Sequence, residues 1–240
     1  MKIKCLIFMV MVYLVGASPL HAQNQLTFAT VQDSANSKIN EKVVREAYAR
    51  LGYDIEVVWL PGVRALEMAN NGEVDGELGR VAGIELRWTS LIMVPTMVNV
   101  LEGAVFTKNI EFEVAGWDSL RPYSIGVRRG IQFSDQGTQG MRRQIVNSNQ
   151  DLFNILRVDR VELIIVSLAN GLKQLENIKY TVIKPLKPVI EAYPLHHYLH
   201  NKHRDLLPKI DAVLQAMEEE GVIQRIRQQV LDNLQSDSHL

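Results

Sequence analysis

Three features of the chain predict an α/β fold. Helical and strand patterns alternate along most of its length. The ELIIV run at 162–166 has four consecutive apolar residues after Glu162, as suits a parallel strand buried on both faces. The only cysteine, Cys5, lies in the N-terminal leader, so a hydrophobic core, not disulfides, must hold the rest together.

The leader reads as an export signal over residues 1–22. Lys2 and Lys4 precede an apolar run from Cys5 to Val15. Gly16, Ala17, Ser18 and Pro19 follow, and cleavage is expected near Ala22. The run is too short for a membrane span, and no later segment approaches the roughly 20 apolar residues one needs. Cys5 opens the run instead of following it, which does not suit lipid anchoring. A periplasmic location is therefore expected. Without Lys2 and Lys4 the 26 basic residues become 24 against 27 acidic ones, a net charge of −3 with histidine neutral. Nothing in that balance suggests nucleic acid. About 218 residues remain, enough for one large domain or two small ones.

Residues 26–30 form the first predicted strand. Asn36 or Ser37 can cap a helix with Ile39, Val43, Ala47 and Leu51 on one face, and Gly52 ends it. Ile55, Val57 and Trp59 then alternate as in a strand. Residues 63–71 read as a short helix, Gly72 supplies a left-handed stop, and a strand restarts over 74–78. Further strands are expected at 91–94, 104–106 and 124–127. A Gly- and Gln-rich stretch at 136–140 precedes a helix at 151–157, then strands at 161–166 and 180–183. Two helices, 205–219 and 222–234, flank Gly221 at the end. No internal repeat or low-complexity linker is present.

The order of motifs carries a family resemblance. LGY at 51–53, VWLPG at 58–62, ALEMANNGEVDGEL at 65–78, PYSIGVRRG at 122–130, LRVDRVELIIV at 156–166 and the terminal helix pair resemble the family 3 extracellular solute-binding proteins. These are periplasmic receptors of ABC importers, especially for polar amino acids. The resemblance implies two α/β lobes joined by two crossing strands. Lobe one would comprise 24–107 plus 193–240, and lobe two 108–192. A small-molecule ligand would lie between them, with no cofactor, no metal and a monomeric chain. The partner would be an inner-membrane ABC permease or a membrane sensor.

The resemblance also implies site residues. The family places a carboxylate-gripping arginine twelve positions after the acidic start of a strand, and Asp75 plus twelve is Arg87. The Thr-Pro-Glu-Arg lead-in is here Ile84, Glu85, Leu86 and Arg87, without the assisting hydroxyl. Arg80 stands where a small residue is usual, so it either meets the ligand or pairs with Glu77 or Glu85. In the second half, Arg129, Gly130, Ile131 and Gln132 would supply charge and backbone amides, with Ile131 at a position where Thr or Ser is common. A plain strand-to-helix connection, with Arg128 and Arg129 in solvent, is the alternative. Ser167 falls where amino-acid receptors carry the aspartate that neutralises an α-ammonium. A serine hydroxyl cannot do that, so the lining leans positive and favours an anionic ligand.

Trp59 can stack on a ligand or pack in the core. Arg64 reads first as a solvated helix residue, Trp88 and Trp117 have no motif support, and Glu218, Glu219 and Glu220 read as a solvated helix end. His196, His197, His200 and His203 have spacings that could hold zinc, but a strand over 195–199 would scatter them on opposite faces. An exported enzyme of the same fold would need an acid or base in the cleft. Glu77, Glu85, Glu102 and Glu162 are available, yet no recognisable catalytic arrangement surrounds them.

Overall fold

The computed structural model describes residues 24–178 and 182–236. The predicted leader, and the first two residues of the strand expected at 180–183, lie outside them. Among the described residues no helix is long and apolar enough to cross a membrane.

The chain opens with β1 (Asn24–Val31), α1 (Ala35–Arg50), β2 (Tyr53–Leu60), α2 (Gly62–Asn70) and β3 (Gly76–Arg80). β1 pairs parallel with both β2 and β3. α1 begins earlier than expected, because Ser34 and not Asn36 or Ser37 caps it: the Ser37 amide donates to the Ser34 hydroxyl at 3.4 Å. Ile39, Val43 and Ala47 bury against the sheet as their spacing predicts. Gly72 takes a φ of 75°, the left-handed turn that ends the α2 connection.

The expected strands at 91–94 and 104–106 are one element. β4 (Leu91–Thr107) runs unbroken for 17 residues, about 55 Å at the rise of an extended strand. β9 (Glu191–His200) pairs antiparallel along it from Leu91 to Gly103. Pro95 sits inside the stretch where the register shifts between Met93 and Met97, so its missing N–H breaks no ladder bond there.

The second half contains β5 (Ile125–Arg128), α3 (Gln132–Gly137), β6 (Arg143–Val146), α4 (Asn149–Arg157), β7 (Leu163–Ser167) and α5 (Leu168–Ile178). β5 pairs parallel with β6 and β7. The two-residue β8 (Lys184–Pro185) and β7 both pair with the far end of β4. α6 (Leu207–Glu219) and α7 (Val222–Ser236) close the chain. The sheet order β2-β1-β3-β9-β4-β7-β5-β6 thus has two parallel sets joined through two antiparallel strands. The set β2-β1-β3 and the set β5-β6-β7 each end their strands towards loops that lead into helices, which is where open α/β sheets bind ligands.

Candidate functional site

The carboxyl ends of the two parallel sets meet. Asn36, in the first turn of α1, donates from Nδ2 to the hydroxyl of Ser167 at 3.0 Å. One residue earlier, the Ala35 amide donates to Oδ1 of Asn170 in α5 at 2.8 Å. Ser167 is the last residue of β7 and is buried. These bonds join the segment after β1 to the segment after β7, across 131 and 135 residues of chain.

Next to this junction lies a cavity of about 30 Å³. Ile131, Ile165 and Val166 form its apolar wall, and Arg128, Asn149, Ser167 and Asn170 its polar one. It has room for about two waters, each needing roughly 10–15 Å³. Arg128 ends β5, and burial holds its guanidinium below the usual arginine range, with no nearby carboxylate opposing that shift. Among the described residues its side chain has neither a hydrogen bond nor an ion pair.

Of the residues singled out from the sequence, Ile131 and Ser167 line this cavity. Arg129, Gly130 and Gln132 are exposed around it. Arg129 donates from Nε to Asn147 at 3.2 Å, and Gly130 has a φ of 75° in the turn before α3. Arg80 ends β3 and takes the second of its two expected options. Its Nε donates to Glu77 at 2.9 Å and its Nη2 to the Gly62 carbonyl at 2.9 Å. Glu77 is fully buried. Burial pushes its carboxyl above the usual range, opposed by Arg80 and by the Gly79 amide, which donates to it at 2.8 Å. Trp59 is 36% exposed near the end of β2. Arg87 is exposed after a single 3-10 turn (Ile84–Leu86), its guanidinium 5.3 Å from the Trp88 ring centre.

Arg128 enters the sequence reading only through the alternative that leaves it in solvent beside Arg129, and Asn149 and Asn170 do not enter it. The available signal was position: Arg128 is the last strand residue, whereas Arg129 precedes a glycine with positive φ.

The four carboxylates considered as acids or bases each hold a partner. Glu77 holds Arg80, Glu85 accepts from the Tyr198 hydroxyl at 2.9 Å, Glu102 pairs with Arg227, and Glu162 accepts from the Ser124 hydroxyl at 2.9 Å. The histidines are scattered, as alternation along a strand requires. His196 meets the Val94 carbonyl, His200 accepts from the Lys202 amide, and His203 bonds Asp75 at 2.6 Å. His197 is buried. Its Nδ1 lies 2.8 Å from the Glu77 carbonyl and its Nε2 3.0 Å from the Tyr48 hydroxyl, and burial lowers its pKa to about 4. A neutral ring donating to the carbonyl and accepting from Tyr48 satisfies both contacts. Among the described residues no three metal-binding side chains are grouped as a metal would need.

No model of a known protein family matches the chain. An uncharacterized protein of Shewanella oneidensis is 27% identical over 215 residues, covering 85% of this chain and 81% of that one. Among solved structures, the probable amino-acid ABC transporter extracellular-binding protein ytmK of Bacillus subtilis superposes with a TM-score of 0.70. That match has 16% identity and covers 87% of this chain and 99% of the other. A histidine kinase sensor domain with similarity to periplasmic binding proteins gives 0.67, at 17% identity and 87% and 96% coverage. The fold is that of the two-lobed periplasmic binding proteins. The same architecture holds L-arginine in AbpA of Streptococcus pneumoniae, with a TM-score of 0.64, 12% identity, and 90% and 96% coverage. At such identities the likeness to these binding proteins is one of fold alone.

Proposed function

We propose that this chain is an exported receptor that captures a small polar or anionic solute between two lobes and presents it to an inner-membrane protein. The lobes are residues 24–107 plus 193–240, and 108–192, with β4 and β9 as the crossing strands. The observation that carries this reading is the junction of the two parallel sets. The start of α1 bonds the ends of β7 and α5 beside the cavity, whose lining residues all belong to 108–192, so a solute that takes the place of those bonds touches both halves at once. Ile131 and Ser167 belong to that site. Gly130, Gln132 and Arg129 would form its rim on one side, and Arg80, Trp59 and Arg87 are the residues that lobe one would bring to it. Two waters' worth of space means that a larger solute enters only when the Asn36 and Ala35 bonds part, which is the opening step of a hinged receptor.

Delivery to an ABC permease is the primary role. A sensing role is the second reading, favoured by the sensor-domain likeness. Both use the same capture step. Its test is the melting temperature of the purified chain against amino acids, dicarboxylates and other small acids. A bound solute at a hundred times its Kd stabilises the fold by about 2.7 kcal/mol. The expected result is a shift for one chemical class with the solute recovered unchanged. Silence across the panel would remove the receptor reading, and conversion of the solute would replace it with an enzyme.

A further inference from the structure

The polar wall of the cavity has a one-sided chemistry. It contains a guanidinium, a hydroxyl and two carboxamides, and no carboxylate. Ser167 accepts from Asn36, so its own O–H is left to donate. Asn170 turns Oδ1 to the Ala35 amide, so its Nδ2 is left to donate. Arg128 is half-buried and lacks a counter-charge among the described residues, a costly arrangement for a fold that gains nothing from it. Glu77, the buried carboxylate of β3, is already held by Arg80 and the Gly79 amide.

We infer that this site is selective for a small carboxylate that bears no ammonium group, with Arg128 as its principal charge partner. The inference rests on the receptor reading for the location of the site and narrows the ligand. The planar guanidinium can meet both carboxylate oxygens through parallel hydrogen bonds, and Ser167 and Asn170 can supply further donors. An α-amino acid would bring an ammonium group against a wall with one cation and no carboxylate. That charge would lose its water and gain at most neutral acceptors such as the Asn149 carboxamide oxygen, with no counter-charge. L-Arginine, held by AbpA on the same architecture, would place a second guanidinium near Arg128.

Matched solutes test this directly. Propionate against L-alanine, and succinate against L-aspartate, each differ only by the amino group. Calorimetric titration of the purified chain should give at least one carboxylate bound tenfold or more tightly than its amino counterpart. Arg128→Gln should weaken that carboxylate at least tenfold while the urea midpoint does not fall, and Arg128→Lys should recover part of the loss. Equal or tighter binding of either amino acid would overturn the inference and leave solute capture intact. So would an affinity within twofold of wild type in Arg128→Gln. If all four solutes fail to bind, the inference falls, and the broader thermal panel decides the receptor reading separately.

Discussion

Two arginines end strands in the two halves of this sheet, and they are treated in opposite ways. Arg80, at the end of β3, finds Glu77 three residues upstream and the Gly62 carbonyl beside it, so its charge is used within the fold. Arg128, at the end of β5, has Ile125 three residues upstream, then Gly126 and Val127, and lines its cavity with serine and asparagine. The contrast separates a charge that holds structure from one available to a solute. The first expected effect breaks that comparison open. Arg80→Ala strands a fully buried carboxylate, and loss of one partner of a buried pair costs about 3–5 kcal/mol. The lower end is expected, near 3 kcal/mol, because the Gly79 amide remains and Glu77 can take up a proton. Arg128→Gln should not lower stability, because it removes a half-buried charge that lacks a counter-charge among the described residues. Urea unfolding of both variants measures the difference, and equal losses would show that Arg128 is structural too.

The Glu77 side of the comparison is tied to pH through His197. Its folded pKa of about 4 lies below the ordinary value of 6.5. A depressed histidine binds fewer protons when folded than when unfolded, so its contribution is complete above pH 6.5 and declines as pH falls towards 4. Over that window the decline is about 3 kcal/mol at 1.36 kcal/mol per unit. Glu77 titrates in the same network with the opposite sign, since its pKa is raised. Comparing wild type with His197→Gln keeps Glu77 in both. The stability gap between them should narrow from pH 6.5 to pH 4 in urea titrations, and a constant gap would mean the imidazole is not held neutral.

The junction between the halves carries the next effect. Asn36→Ala removes one hydrogen bond to Ser167, worth about 1 kcal/mol. The same substitution should favour the open form and enlarge the radius of gyration in small-angle scattering. An unchanged radius together with an unchanged urea midpoint would mean that the junction holds nothing closed.

Much of the fold was legible because single faces set it. Ile39, Val43 and Ala47 fixed α1, and 162–166 fixed β7 to within a residue or two. What was not legible depended on distant partners. Pro95 divides β4 in the sequence, but β9 pairs past it by shifting register. α5 carries Asn170 and Gly171, a turn signal, yet a Cβ at Gly171 would lie 2.2 Å from the Phe106 ring, so close helix-to-sheet packing selects glycine there. β6 is an edge strand with alternating exposure and little hydrophobic signal. Motif position points to Ile131 and Ser167, which line the cavity, because it follows strand ends. It could not find Arg128 as distinct from Arg129, since which of two adjacent arginines is half-buried depends on where the turn begins.

Arg87 gives the smallest effect and the sharpest separation of the two halves. It is exposed, its guanidinium rests near Trp88, and no carboxylate among the described residues pairs with it. Arg87→Ala should change stability by no more than about 0.5 kcal/mol, as exposed substitutions usually do. On the proposed placement of Arg87 at the cleft, an exposed cation acts mainly on encounter, so the association rate of a bound carboxylate should fall by about two- to threefold at low salt. That difference should vanish in concentrated salt, where the Debye length shrinks to about 3 Å at 1 M. Stopped-flow binding resolves the two rates. A faster dissociation rate at every salt concentration would instead place Arg87 against the bound solute, as the motif spacing implies, and the charge available to the ligand would then come from both halves of the sheet.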